Sequence, residues 1–206
     1  MESSGEKDKN ENEAIKIILI GDSGTGKTNL ITVTAGFAFD SNTLTTKTCS
    51  YIQKAFTIYN TEYIVNIWDT IGQEKFRSLT KIFVKDSKIV IFVYDITNRE
   101  SFESLTFWKG IVDDLILDKP VFGVVGNKVD LYMDEKIKEE ELEKFAKSID
   151  AKWLLTSAKN EAHSFIEFVR ELIKDYLKLT PGERIESFSL DKKKIKKKKK
   201  KCCESS

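Results

Sequence analysis

Three stretches of this chain are almost continuously apolar: AIKIILI (Ala14 to Ile20), KIVIFVYDI (Lys88 to Ile96) and VFGVVGN (Val121 to Asn127). Short runs of this kind, rich in β-branched residues and bounded by glycine or polar turns, are the pattern of strands covered on both faces of a parallel sheet. Two more strands are predicted near Tyr51 to Tyr59 and Glu62 to Trp68. They alternate only loosely, and the turn-prone Asn60 and Thr61 between them imply a hairpin. A last short strand falls around Lys152 to Leu155. Helical patterns begin at about Lys27 and cover about Arg99 to Leu117, Lys138 to Ile149 and Glu161 to Leu179. Strands that alternate with helices specify an α/β layered fold. Pro181 and Gly182 act as a stop signal for the last helix.

Composition bounds that picture. With 206 residues, 40% apolar and 33% charged, the chain fits one globular domain over residues 14–179. A polar leader (1–13) and a tail (180–206), both expected to be disordered, flank it. No stretch reaches the roughly 20 apolar residues that cross a bilayer, and MESSGEKDKNENEA lacks the apolar core of a secretory signal. The body is therefore expected to be soluble and cytosolic. Cys49, Cys202 and Cys203 have no metal-ligand spacing and no disulfide framework. The net charge of +1 hides an asymmetry, because KKKIKKKKKK at 192–201 carries nine of the 34 basic residues. Without it, 25 Lys and Arg face 33 Asp and Glu, a charge of −8 elsewhere. A self-repelling lysine run describes an anionic partner surface.

Candidate chemistry begins in GDSGTGKT, Gly21 to Thr28, which has the spacing of a phosphate-binding loop and sits between a predicted strand and a predicted helix. The glycines let successive N–H groups point into one concavity, so Ser23, Gly24, Thr25 and Gly26 can cradle a β-phosphate at the helix N-terminus, with Asn29 just beyond. Lys27 brings a positive charge to the β and γ oxygens, and Thr28 offers a hydroxyl to Mg²⁺. The loop specifies a nucleoside triphosphate without naming its base.

The base is read from GNKVD, Gly126 to Asp130, which places Asn127, Lys128 and Asp130 at the carboxyl end of a strand, where open α/β sheets bind ligands. A carboxylate there accepts from both N1–H and the exocyclic amine of guanine. Adenine offers no such pair, and a site built on that carboxylate should reject ATP. TSAK, with Ser157, Ala158 and Lys159, follows the next strand and can set a backbone N–H near guanine O6.

In this order, the three segments make residues 14–179 resemble the Ras-like small GTPases. The resemblance implies the P-loop GTPase fold, a mostly parallel six-stranded sheet with helices on both faces, that binds GTP or GDP with Mg²⁺. By resemblance, WDTIGQE (Trp68 to Glu74) is the second switch: Asp69 supports Mg²⁺ through a water, Gly72 donates its N–H to the γ-phosphate, and Gln73 orients the attacking water. Ile71 stands where the family usually has alanine. Family spacing gives Phe39 as the base-packing aromatic and Thr46 as the Mg²⁺-binding threonine of the first switch. Around Thr46 the segment TKTCSY departs from the family pattern, and Thr45 or Thr48 remains an alternative ligand. No arginine completes the site in cis, so slow turnover and an arginine supplied by an activating partner are expected.

FRSLT, FVYDIT and SFESLTFW look most like the Rab branch, which directs vesicle traffic, and the terminal CCESS looks like its doubly geranylgeranylated cysteine pair, here Cys202 and Cys203. Two lipid chains with a lysine run give stable anchoring where one chain is marginal. The aromatic triad through which Rabs meet effectors maps to Tyr51, Trp68 and Phe83, residues equally suited to a core. The expected partners are an exchange factor, a GTPase-activating protein, effectors that bind the switches, prenylation and membrane-extraction chaperones, and an anionic membrane. A nucleic acid is not expected, and the chain reads as a monomer. Its place would be the cytosolic face of an intracellular membrane, with a chaperone-bound cytosolic pool. A nucleotide-loaded, membrane-recruited scaffold with little hydrolysis is the competing reading.

Overall fold

In the computed structural model, described over residues 14–40, 50–70, 84–116 and 118–179, the continuous apolar runs are interior strands. They are β1 (Ile15–Ile20), β4 (Ile89–Asp95) and β5 (Val121–Asn127), joined by β2 (Ser50–Ile58), β3 (Thr61–Asp69) and β6 (Ala151–Leu155). The helices described are α1 (Lys27–Thr34), α2 (Arg99–Leu115), α3 (Glu139–Ser148) and α4 (Ala162–Leu179), with a 3-10 helix at Val129–Asp134. The strand order is β2-β3-β1-β4-β5-β6. Only β2 runs antiparallel to its neighbour; the other pairings are parallel.

Two-residue periodicity explains why β1 and β4 tolerate no polar face. Ile17 and Leu19 of β1, with Ile89, Ile91 and Val93 of β4, point to a cluster completed by Leu30 of α1 and by Phe165, Val169 and Leu172 of α4. Their neighbours Ile18 and Ile20, with Val90, Phe92 and Tyr94, point the other way, to Leu105, Trp108 and Val112 of α2 and Leu142 of α3. Each strand is thus apolar on both sides because each side has a helix layer to face. Burying a side chain of this size contributes about 1.5–3 kcal/mol, and the doubly covered strands carry most of it.

The hairpin turn differs by one position from the sequence expectation. Ile58 pairs with Thr61, so the loop is Tyr59 and Asn60, both at positive φ (49° and 64°). A two-residue turn of this kind needs left-handed backbone twice, which a β-branched threonine resists; Thr61 therefore opens β3. The 3-10 helix at Val129–Asp134 has no counterpart among the elements expected from the sequence.

Candidate functional site

Parallel pairing brings the carboxyl ends of β1, β3, β4 and β5 to one end of the sheet, and the candidate residues gather there. β1 runs directly into the loop Gly21 to Thr28, and α1 begins at Lys27 with Gly26 as its cap. Lys27 is 5% exposed, and its Nζ donates to the carbonyls of Gly21 (2.8 Å) and Asp22 (2.7 Å). Burial lowers its ammonium to about 8 against the opposing pull of the Asp69 and Asp22 carboxylates. A cation held in so dry a cleft is chemically matched to an anionic ligand. Ser23 and Gly24 are exposed, while Thr25 is buried and Asn29 lies in the first turn of α1.

The Thr28 hydroxyl donates to Asp69 Oδ2 at 2.8 Å, which joins the start of α1 to the end of β3. Two hard oxygens at that separation fit Mg²⁺, which completes its shell with waters and substrate phosphates and does not need a protein cage. The Thr70 hydroxyl donates to Leu19 O at 2.6 Å and pins the exit of β3 to β1, which fixes where that carboxylate sits.

On the base side, Asn127 ends β5 and is 1% exposed. Its Nδ2 donates to Thr25 O (2.8 Å) and its Oδ1 accepts from Ala158 N–H (3.1 Å). Asn127 thus braces three loops with its amide. The approach is close: a Cβ on Gly26, whose φ is 92°, would lie 2.2 Å from Asn127 Nδ2. Lys128 has φ 71°, an uncommon conformation for lysine, and its Nζ reaches Asp95 Oδ2 at 2.5 Å. Asp95 in turn accepts from the N–H and hydroxyl of Thr97. The Asp130 carboxylate accepts from the Ser157 hydroxyl at 2.5 Å, and Ser157 Oγ accepts from the N–H groups of Lys159 and Asn160. Of the backbone N–H groups that the sequence places near the base in Thr156 to Lys159, that of Ala158 is engaged by Asn127.

Phe39 is half-buried against the cluster under α1 and α4. Tyr51 and Trp68 are cross-strand partners with stacked rings 4.6 Å apart; Tyr51 is half exposed, and Trp68 is partly buried against the α2 side. Thr46, Gly72, Gln73, Cys202 and Cys203 lie outside the described residues, as do Ile71 and Phe83. Two supports of the site were missed from sequence. Asp95 holds Lys128, and Trp108 donates from Nε1 to Asp22 Oδ1 at 2.8 Å. The aspartate at the end of a buried strand was a usable signal for Asp95; nothing local signalled Trp108.

The model of the Ras family matches residues 16–178. Among curated relatives, Ras-related protein Rab-26 from Bos taurus is 33% identical over 177 residues, covering 84% of this chain and 69% of its own length. Ras-related protein Rab-21 from Geodia cydonium is 32% identical over 166 residues, 81% of this chain and 72% of its own. The human Rab-21 is 34% identical over 146 residues, 71% of this chain and 65% of its own.

Proposed function

Because this chain belongs to the Ras family, in its Rab branch, we propose that it cycles between GTP and GDP states to regulate membrane traffic. It is a GTP hydrolase that binds GTP or GDP with Mg²⁺. The observation that carries the proposal is the Asn127 brace, which ties the phosphate loop at Thr25 to the base loop at Ala158. One nucleotide is then gripped at both ends by a single rigid unit. Ser23 to Asn29 hold the phosphates, Thr28 and Asp69 supply Mg²⁺ with oxygen, Asp130 reads guanine, and Asn127, Ser157 and Ala158 set the walls. Lys128 and Lys159 border the base, and Phe39 packs against it. Thr46, Gly72 and Gln73 supply the parts that depend on the γ-phosphate.

The family uses an exchange factor, an activating protein and effectors, and this chain would meet its own through the switches. Cys202, Cys203 and the lysine run would anchor it to an anionic membrane, with chaperones carrying the lipidated form through the cytosol. No helix among the described residues is long and apolar enough to cross a membrane, so lipid attachment is the route proposed. The matched relatives give the weakly hydrolysing scaffold no support.

The test uses the full chain purified from a eukaryotic host. We expect copurified guanine nucleotide, slow single-turnover GTP hydrolysis, and acceleration by about 10³-fold or more with a Rab-type activating protein. A tagged Cys202→Ser, Cys203→Ser variant should leave membranes for the cytosol. Hydrolysis that no activator accelerates would argue against a switch, and unchanged membrane binding of the variant would argue against the anchor.

A further inference from the structure

The cradle contains one feature at odds with phosphate binding, the carboxylate of Asp22. Its main-chain carbonyl accepts from Lys27 Nζ at 2.7 Å and from the Thr25 hydroxyl at 3.0 Å, so Asp22 lies at the heart of the loop. Two anions brought close together repel strongly where water is scarce. The side chain, however, is held elsewhere: Asp22 Oδ1 accepts from Trp108 Nε1 at 2.8 Å across 86 positions of sequence. Trp108 is 2% exposed and set among the buried side chains between α2 and the sheet, so its ring has no freedom to leave. A buried indole N–H also needs an acceptor, and Asp22 supplies it. Without that donor, the carboxylate would be left to turn toward Lys27, whose ammonium already feels its charge and is the lysine meant for the phosphates.

We propose that Trp108 is a positioning residue for the nucleotide: its indole N–H holds the Asp22 carboxylate toward α2 and so leaves Lys27 to the phosphates. The inference rests on reading Gly21 to Thr28 as the phosphate site and adds a regulator of that site's charge. It also means that α2 contributes to nucleotide affinity without touching nucleotide. Movement of α2 against the loop would change how firmly GDP is held.

The test is a double-mutant cycle on GDP release, with the full chain loaded with a fluorescent GDP. Trp108→Phe keeps an aromatic ring, though a smaller one, and removes the donor; it should release GDP about tenfold faster. In an Asp22→Asn background, where no charge is left to restrain, the same Trp108→Phe change should alter release less than about twofold. Equal effects in both backgrounds would mean that Trp108 acts through packing alone, and no effect in either would remove its role; both overturn the proposal. If Trp108→Phe fails to fold, Asp22→Glu and Asp22→Gln serve with Trp108 intact. They have the same length, and only the first overreaches the indole with a charge. It should release GDP several-fold faster than the second, and equal rates contradict the proposal. As a readout independent of nucleotide, the indole proton of Trp108 in ¹⁵N-tryptophan spectra should exchange slowly in the wild type and rapidly in Asp22→Ala; unchanged exchange also counts against it. A wild-type chain that binds no GDP would sink the GTPase reading, whereas one that binds while these variants match it sinks only this inference.

Discussion

Gly26 is the residue on which both halves of the site converge. It caps α1 in a left-handed conformation, and its missing Cβ is the space that Asn127 Nδ2 occupies to reach Thr25 O. Replacement by alanine therefore does two kinds of harm: strain at φ 92° and displacement of the brace. We expect Gly26→Ala to lower stability by about 1–3 kcal/mol in thermal unfolding and to speed GDP release by at least about tenfold. A stable variant with unchanged release would show that the brace has no part in binding. Sequence gave Gly26 a place in a phosphate loop from spacing alone, because the loop is local. Its second constraint was invisible, since it comes from Asn127, at the end of another strand, whose approach only the folded sheet sets. The same is true of Asp22 and Trp108: each is an ordinary residue in its own segment, and the meaning lies in the pair.

At the level of elements, the junction of α2 and α3 shows how the base side is supported. Asn98 caps α2 by accepting from Glu100 N–H (3.0 Å) and Ser101 N–H (3.4 Å). The next residue, Arg99, makes a two-pronged pair with Glu141 of α3 (2.9 and 2.6 Å), whose carboxylate also accepts from Lys138 N–H. The Arg99 hydrogen bonds first, and the Lys138 N–H second, hold the Glu141 carboxyl down to about 2 from its ordinary 4.5. A carboxyl whose folded pKa is depressed stabilises the fold above its unfolded value, and the benefit disappears as pH falls through the folded one. The unfolding midpoint of the wild type should therefore exceed that of Glu141→Gln by a constant margin above about pH 5, and the margin should close between about 4.5 and 2. A margin that does not depend on pH would assign the effect to packing. The elements themselves were largely legible: β5 spans Val121–Asn127 as its apolar run implied, because a strand covered on both faces carries no polar interruption. Less legible were the hairpin turn, where two residues compete for left-handed backbone, and the 3-10 helix, whose cap Lys128 takes left-handed backbone and is ion-paired with Asp95.

For the whole molecule, the strand order decides what the sequence order could not show. β1, the source of the phosphate loop, lies between β3 and β4, so Asp69 on one side and Asp95 on the other reach the same end of the sheet. The motifs were readable in succession because each is contiguous. The ties among them, Thr28 to Asp69, Asn127 to Thr25 and Lys128 to Asp95, needed the sheet. These ties make the triphosphate and the base parts of one recognition problem, which is why selectivity for guanine is the central claim. It is tested most directly by measuring the equilibrium affinities of the nucleotide-free full chain for GDP and ADP, with Mg²⁺ present. The site described here predicts that GDP binds at least about 10⁴-fold more tightly, the discrimination expected when a carboxylate is placed to meet two donors. Affinities within about tenfold of each other would contradict it, because a loss that small would leave Asp130 no part in reading the base.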